Sequence, residues 1–319
     1  MLEEMIAARV YSDRMMALQR QGRFPIAVPI DGMEAAVVGA IGALKPKHDW
    51  VFPQYREPMG MARYGPEVLR AFFAYMRGHP AGAHLPASAK VFPPQISLAT
   101  QIPHALGLAW SQQLRGERGA TAVFFGDGSS SEGDFYEAGN FAGVLRAPLI
   151  MICMNNQWAI STPIEAQTAA SSFADKAHAF GFPGVVVDGN DVVQVFEAVA
   201  AARQRAVEGL GPTLVEVVTY RLGAHTSSDD PTRYVDPGEL EAARALEPIG
   251  RLSAEVTDRE LWDPKRRDQI EATASTRVDE ICDWLFALDV DPAMMFDHVA
   301  VDPGDRVRAQ RAERSAGRP

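Results

Sequence analysis

Short apolar runs alternate with helical segments from about residue 97 of this chain, and this alternation limits its possible folds most strongly. The runs predicted as strands are residues 121–125, 148–154, 185–188 and 213–220. The helical segments before and between them are residues 98–115, 131–145, about 173–180 and 191–208. Strands separated by helices in this way form parallel βαβ units with right-handed crossovers. The pattern predicts an α/β fold with a mostly parallel, doubly wound sheet flanked by helices.

Helical segments also flank this alternation on both sides. Residues 1–22 have helical periodicity that ends at Gly22, and further helices are predicted near 33–44 and 66–78. The stretch 239–287 is mostly helical and charged, and the polar stretch 306–319 is expected to fray. We therefore divide one structural domain into three segments, which are an N-terminal helix with loops (1–96), the α/β core (97–238) and a helical C-terminal segment (239–319).

Charge and cysteine content exclude several classes of protein. The 319 residues carry a formal net charge of −10, which argues against nucleic acid or an anionic membrane as the main partner. The two cysteines, Cys153 and Cys282, are too few for a disulfide framework or a zinc site. No apolar stretch approaches the roughly 18–20 residues that span a bilayer, and no signal peptide opens the chain. We expect a soluble, cytoplasmic protein.

Polar residues follow every predicted strand of the α/β segment. They are Gly126-Asp127-Gly128-Ser129, Asn155-Asn156, Asp188-Gly189-Asn190-Asp191 and Arg221-Leu222-Gly223-Ala224-His225. Ligands of open parallel sheets bind beyond the carboxyl ends of the strands. The four stretches therefore predict one polar site along one edge of the sheet.

The pair formed by Asp127 and Asn156 gives this site its chemistry. A carboxylate and an amide oxygen at neighbouring strand ends suit Mg²⁺, whose remaining ligands would be phosphate oxygens and water. Gly128 allows a phosphate to approach the backbone at a helix N-terminus. Each motif alone is more often a turn or a helix cap. A dinucleotide site fits less well because residue 131 is serine where a third glycine is needed, and the acidic spacing does not fit a calcium loop.

The motif Gly126-Asp127-Gly128, followed after 26 residues by Asn155-Asn156, resembles the thiamine-diphosphate motif. The surrounding sequence is similar to the alpha subunits of 2-oxo acid dehydrogenases, of the branched-chain and pyruvate types. The resemblance runs from about residue 10 to beyond 300 and includes FPQYREP at 52–58, SLATQIPHALG at 97–107 and TYRLGAHTSSDDPTRY at 219–234. It implies the thiamine-diphosphate-binding fold, with cofactor-contacting loops in the segment 1–96.

The resemblance also implies roles for individual residues. Mg²⁺ would be bound by the side chains of Asp127 and Asn156 and by the backbone oxygen of Trp158. The other implied cofactor-binding residues are Tyr55, Arg56, Leu98, Gly126, Gly128, Ser129, Arg221 and His225. Leu98 lies where the family packs and hydrogen-bonds the aminopyrimidine, and His225 is the implied catalytic residue, a proton donor or positioner near the reacting centre.

A possible K⁺ site and two departures complete the residue comparison. Thr100 and Gln101 match a potassium site of branched-chain members, although the same residues could cap the following helix. Met154 stands where some branched-chain relatives place an arginine that binds the diphosphate. Met33 stands in Gly32-Met33-Glu34-Ala35 where the family usually has glutamine. The side chain of Met154 cannot make the arginine's contact.

The implied reaction is the decarboxylation of a 2-oxo acid on thiamine diphosphate and the transfer of the acyl group to a lipoyl domain. In this family a beta subunit supplies the glutamate that activates the cofactor, so we expect a heterotetramer of two alpha and two beta chains and a lipoyl acyltransferase as the next partner. Branched-chain substrates are favoured, and pyruvate is the alternative. A cofactor-free structural subunit is the alternative of another class.

Overall fold

A computed structural model describes residues 1–289, 291–297 and 299–316 and shows a parallel sheet at the centre of the chain. In these residues the strands are β1 (Trp50–Phe52), β2 (Thr121–Gly126), β3 (Leu149–Asn155), β4 (Trp158–Ala159), β5 (Thr162–Pro163), β6 (Gly184–Asp188) and β7 (Thr213–Val218). Five of them lie in the order β1-β2-β3-β7-β6, and all neighbours are parallel. Strands β4 and β5 form a small antiparallel hairpin directly after β3.

Helices surround the sheet. In the described residues they are α1 (Leu2–Arg20), α2 (Glu34–Ala43), α3 (Pro66–Met76), α4 (Gln101–Leu114), α5 (Gly133–Leu145), α6 (Lys176–Ala179), α7 (Val192–Val207), α8 (Pro237–Arg244), α9 (Pro248–Asp258), α10 (Arg266–Phe286) and α11 (Asp305–Ser315). Local chemistry explains several of these boundaries. Helix α7 begins where the Asp191 side chain accepts hydrogen bonds from the backbone N–H groups of Val193 and Gln194.

Helices cover both faces of the sheet. Successive side chains of a buried strand point in opposite directions, so each face of the sheet has its own core. Phe124 of β2 lies in the larger core, which includes residues of α1, α2, α3, α7 and α10. Phe125 lies in a second core with residues of α4 and α5. The predicted fold class, α/β with a doubly wound parallel sheet, is confirmed. The larger core also joins Met15 and Val278 from the two flanking segments to the α/β segment.

The four predicted strands are present as β2, β3, β6 and β7, but three shorter strands were not predicted. Strand β1 adds a fifth strand, with Val51 opposite Ala122 of β2. It has only three residues and lies in a stretch rich in Gly, Pro and aromatic residues, so no alternating pattern marked it. The hairpin β4–β5 was missed for the same reason, since each of its strands has two residues.

The polar stretch 306–319, which is expected to fray, is helical where the structure describes it, and its helix buries no residue. Asp305–Ser315 forms helix α11, while residues 317–319 lie outside the described residues. The sequence DRVRAQRAERS consists largely of good helix formers. It also has Asp305 in the first turn and Arg314 in the last, where each charge interacts favourably with the helix dipole.

Within the described ranges, no helix is both long enough and apolar enough to cross a membrane.

Candidate active site

The carboxyl ends of β1, β2 and β3 open into a cavity of about 510 Å³. The parallel order of these strands brings residues 54–57, 127–131 and 156–160 to its walls, as expected for an open α/β sheet. The residues expected from the sequence that line it are Tyr55, Arg56, Leu98, Gly126, Asp127, Gly128, Ser129, Asn156, Trp158 and His225. The cavity also has residues that sequence reasoning missed, among them Gln54, Glu57 and Gln167.

A 3-10 turn, Asp127–Ser131, follows β2 and begins with Asp127, the carboxylate of the Gly126-Asp127-Gly128 motif. Asp127 is buried, and its Oδ2 accepts a 2.6 Å hydrogen bond from Gln167 Nε2. Burial raises the pKa of the Asp127 carboxyl above its ordinary value, although the Gln167 hydrogen bond opposes this shift. A Cβ on Gly128 would lie 2.8 Å from the Ala159 Cβ, so this position has room only for glycine.

A second turn, residues 155–158, follows β3 beside the first. Gln157 has φ of +73°, and the Asn156 side-chain oxygen accepts a 3.2 Å hydrogen bond from the Trp158 N–H. The Asn156 amide nitrogen lies 3.7 Å from the Met33 sulfur. Met33 therefore contacts a predicted metal ligand from the position where the family usually has glutamine.

Arg221 lies behind the cavity wall and does not line the cavity. It is 3% exposed, and its guanidinium donates to the Ile160 carbonyl at 2.7 Å and to the Trp158 carbonyl at 3.3 Å. It also donates a 2.7 Å hydrogen bond to the Tyr234 hydroxyl. In this arrangement Arg221 holds the hairpin that carries Trp158, while Arg56 is the arginine at the cavity surface.

Arg56, Tyr55 and His225 form one side of the cavity. The Arg56 guanidinium donates 2.9 Å hydrogen bonds to the Pro29 and His225 carbonyl oxygens, and it lies 5.1 Å from the Tyr55 ring centroid. The Tyr55 and His225 rings meet edge to face at 6.2 Å. Asp229 Oδ2 accepts a 2.6 Å hydrogen bond from the His225 N–H and so fixes the loop.

The electrostatics of this side favour a negatively charged ligand. Burial, followed by the positive charges of Arg56 and Arg221, lowers the pKa of His225 to about 4, although Asp229 acts in the opposite direction. His225 Nδ1 is buried and has no hydrogen-bond partner in the described part of the chain, and the same holds for the Ser129 hydroxyl. The positive charges of Arg56 and Arg221 therefore act on the same site that contains the unpartnered His225 Nδ1 and Ser129 hydroxyl.

The cavity lining also includes apolar residues. Its aliphatic lining residues are Ile26, Val28, Met33, Met76, Ile96, Leu98, Met154 and Ile160. Leu98 is 43% exposed and precedes Ala99, whose φ is +63°. A ligand with both charged and apolar groups would match this mixed lining.

The predicted K⁺ residues lie next to the site at the start of α4. Gln101 is buried and donates a 2.8 Å hydrogen bond to the Phe124 carbonyl, and its own side-chain oxygen has no partner in the described part of the chain. Thr100 occupies the N-cap position but makes no side-chain cap, since its hydroxyl donates to the Ser97 carbonyl at 3.0 Å. The side-chain capping alternative is therefore wrong for Thr100.

The prediction that all four strand ends form one site was wrong for the end of β6. Asp188 and Asp191 lie outside the cavity and form ion pairs with Arg251 at 2.8 and 3.4 Å. Strand β6 is at the sheet edge, with β7 between it and β3. Because sheet order is not written in the sequence, the polar stretch after β6 looked equivalent to the other three.

Comparison with known proteins finds similar sequences over nearly the whole chain. Residues 3–284 match the family model for the dehydrogenase E1 component. The chain is 40% identical over 314 residues to a 3-methyl-2-oxobutanoate dehydrogenase subunit alpha from Mycobacterium tuberculosis, covering 98% of this chain and 84% of that protein. It is 39% identical over 271 residues to pyruvate dehydrogenase E1 component alpha subunits from Staphylococcus aureus and Bacillus cereus, covering 85% of this chain and 73% and 72% of those proteins.

These matches confirm the resemblance that the sequence motifs indicated, to the alpha subunit of a 2-oxo acid dehydrogenase, an oxidoreductase. They also confirm the expected fold, and the family implies the use of thiamine diphosphate. Relatives of both the branched-chain and the pyruvate type are similar to this chain at almost equal identity. On these grounds, the chain belongs to the dehydrogenase E1 component family.

Proposed function

We propose that this chain binds thiamine diphosphate with Mg²⁺ in the cavity and, together with a beta subunit, decarboxylates a 2-oxo acid and transfers the acyl group to a lipoyl domain. The observation that carries the proposal is that the Asp127 turn and the Asn156 turn open side by side into one cavity with a cationic wall. We place the protein in the cytoplasm.

The oxygen atoms available at the two turns fit Mg²⁺. They are the Asp127 carboxylate, the Asn156 side-chain amide oxygen and the Trp158 carbonyl oxygen, which now accept hydrogen bonds from Gln167, the Trp158 N–H and Arg221. Hard oxygen ligands of this kind are the ones that Mg²⁺ prefers.

The polar wall fits a diphosphate group. Arg56 would donate charge-assisted hydrogen bonds, and the backbone N–H groups of Gly128 and Ser129, which line the cavity, would donate to phosphate oxygens. Tyr55 and His225 face the cavity beside Arg56, and Arg221 adds positive charge from behind the wall.

When bound, thiamine diphosphate would supply the electron sink that the decarboxylation needs. The residues of this chain bind and orient. Leu98 would pack against the cofactor. His225 lines the cavity in its neutral form and would act beside the substrate or acyl group as a hydrogen-bonding group.

A potassium ion beside the site is part of the proposal. The Gln101 side-chain oxygen is a buried acceptor without a partner among the described residues, which suits a monovalent cation, and the neighbouring Thr100 would supply a second oxygen. A bound K⁺ would hold the start of α4 against the end of β2, to which Gln101 is already hydrogen-bonded.

A beta subunit completes the site in this proposal by supplying the activating glutamate. Within the described residues the carboxylates that line the cavity are Asp127 and Glu57, and Glu57 is buried with its carboxylate bound to the Gln54 N–H. Ile96 and Leu98 are exposed at the rim, where a second chain could cover them. We expect two alpha and two beta chains and a lipoyl acyltransferase as the next partner.

The apolar part of the cavity supports a branched-chain 2-oxo acid as substrate. Ile26, Val28 and Met76 offer aliphatic surface to a side chain, although one methylene in such a pocket changes specificity by only about 1–3 kcal/mol. Rates with 3-methyl-2-oxobutanoate and with pyruvate, measured on the reconstituted complex, decide between the two. A higher kcat/KM for pyruvate would contradict the branched-chain proposal.

The decisive experiment compares the chain alone, the chain with a beta subunit, and both without Mg²⁺. We expect decarboxylation only when the chain, the beta subunit, thiamine diphosphate and Mg²⁺ are all present. Robust activity of the chain alone would contradict the shared site. A lack of Mg²⁺-dependent cofactor binding even with the beta subunit would favour the cofactor-free structural subunit.

A further inference from the structure

The two turns of the site are held from behind by one short segment, residues 173–176, through two polar side chains that do not line the cavity. Glu216 of β7 is 2% exposed, and both of its carboxylate oxygens are used. One accepts a 2.7 Å hydrogen bond from Asn155 Nδ2, and the other accepts a 2.8 Å hydrogen bond from the backbone N–H of Ala174. Glu216 therefore ties this segment to the end of β3.

Asn155 passes this constraint to the second turn. With its amide nitrogen bound to Glu216, its side-chain oxygen accepts 3.0 and 3.1 Å hydrogen bonds from the backbone N–H and the side chain of Gln157. Gln157 has φ of +73°, a strained conformation for a residue with a side chain. The bonds from Glu216 through Asn155 stabilise this strained residue, which lies between Asn156 and Trp158.

Lys176 ties the same segment to the first turn. Its ammonium group donates to the Ser130 carbonyl at 3.2 Å, to the Ser130 hydroxyl at 3.0 Å and to the Tyr136 hydroxyl at 3.2 Å. Ser130 is fully buried in the turn Asp127–Ser131. Phe173 is 1% exposed and lies 5.1 Å from the ammonium group, so the segment is itself anchored.

We infer that Glu216 and Lys176 are positioning residues that set the separation between the Asp127 turn and the Asn156 turn, and that they control the affinity for the Mg²⁺ complex of thiamine diphosphate without touching it. The inference rests on the proposed function. Ala174 is bound to Glu216, which holds the Asn156 turn, and Lys176 is bound to Ser130 of the Asp127 turn. Because residues 174 and 176 are two positions apart, a shift of one turn is transmitted to the other. Residues that hydrogen-bond to the ligand-binding residues, without touching the ligand, hold those residues in a productive geometry.

The test uses Glu216→Gln and Lys176→Met in the complex with the beta subunit. In Glu216→Gln, the new amide NH₂ faces a donor, either Asn155 Nδ2 or the Ala174 N–H, so one hydrogen bond is lost at nearly constant volume. We expect the Kd for thiamine diphosphate at fixed Mg²⁺, followed by calorimetric titration, to rise about tenfold in each variant. Glu255→Gln and Lys265→Met change exposed residues and serve as matched controls.

Two further readouts separate positioning from general destabilisation. Saturating cofactor and Mg²⁺ should restore most of kcat while the apparent KM for the cofactor stays raised, and Lys176→Arg should recover part of the affinity. The double variant should lose less affinity than the sum of the two single losses, because both bonds act through one segment. If Glu216→Gln does not fold, Lys176→Met alone carries the test.

The outcomes separate this inference from the proposed function. If the native complex binds no cofactor with Mg²⁺, the proposed function fails. If the native complex binds it and both variants keep a Kd within about twofold of native, a difference too small for a lost hydrogen bond to a charged group, the positioning inference is overturned.

Discussion

Gln167 donates a 2.6 Å hydrogen bond to Asp127 Oδ2 across 40 residues of sequence. The bond joins the loop after β5 to the turn after β2, and both residues line the cavity. The other Gln167 side-chain atom, Oε1, is buried and has no partner in the described part of the chain. Gln167 thus fixes the direction of the carboxylate that we assign to Mg²⁺.

Replacing Gln167 with alanine should weaken Mg²⁺-dependent cofactor binding about tenfold, since a hydrogen bond to a charged group is worth about 1.5–3 kcal/mol and part of this is recovered by water. Calorimetric titration of the complex with the beta subunit measures the effect. Gln204→Ala is the control, because Gln204 makes a similar amide-to-carboxylate bond to Glu208 on an exposed helix face. Equal affinity of native protein and Gln167→Ala would contradict the orienting role.

Asp127→Asn should remove the Mg²⁺-dependent stabilisation by cofactor and leave the free protein at least as stable as native. Burial raises the pKa of the Asp127 carboxyl, which means that its charged form is disfavoured in the folded chain, and an amide of the same shape relieves this cost. Thermal unfolding with and without cofactor and Mg²⁺ measures both parts.

The matched control for that experiment is Asp188→Asn, a strand-end carboxylate that lies outside the cavity beside Arg251. This variant should keep the full cofactor-induced rise in Tm. A cofactor-induced rise that persists in Asp127→Asn would show that the carboxylate does not bind the metal.

Gly128→Ala should destabilise the turn by about 1–3 kcal/mol, which is typical of overpacking in a well-packed site. The added Cβ would lie 2.8 Å from the Ala159 Cβ and would push the hairpin β4–β5 away from the turn. Gly133→Ala is the control, because its Cβ would meet nothing within 4 Å at the start of α5.

Denaturant unfolding and cofactor titration measure both glycine variants. Gly133→Ala should be neutral or should stabilise the chain by up to about 1 kcal/mol through a lower entropy of the unfolded state. If both glycine variants unfold at the same denaturant concentration, the close approach at Gly128 is not a constraint.

The pKa of His225 should be about 4 in the free chain and should rise when thiamine diphosphate binds. Burial and the positive charges of Arg56 and Arg221 keep the ring neutral, and the negative charge of a diphosphate at Arg56 would oppose them. NMR titration of the imidazole signals, assigned with a His225→Asn variant, measures the pKa in both states. A ring that titrates near its ordinary value in the free chain would contradict this environment.

The same shift has a consequence for stability. The folded pKa of His225 lies below its unfolded value of about 6.5, so the unfolded chain binds the proton first. The stability that the chain has with a neutral His225 is therefore fully present above about pH 6.5. It is lost as the pH falls towards 4, because protonation then favours the unfolded chain. The His225→Asn variant should therefore lose less stability than the native chain over this pH interval.

Local sequence was sufficient for the features that depend on residues close together in the chain. The α/β class, most helix positions and the placement of Asp127 and Asn156 at the ends of neighbouring strands follow from short-range patterns, because periodicity and the residues just after a strand report local structure directly. Strand β1 was not predicted because three residues are too few to show a periodic pattern. Helix α11 lies in the segment predicted to be helical, but its bounds were not predicted because a polar stretch without buried residues has no apolar periodicity.

Only the tertiary structure decided which strand ends meet and which side chains face the cavity. The order β1-β2-β3-β7-β6 excludes Asp188 from the site. Gln167 reaches Asp127 from the loop after β5, which has no recognisable motif. Arg221 and Glu216 lie on or just after β7, and both hold the cavity wall from behind. Contacts between distant segments depend on how the sheet is assembled, and that assembly is a property of the whole packed chain and of no single stretch of it.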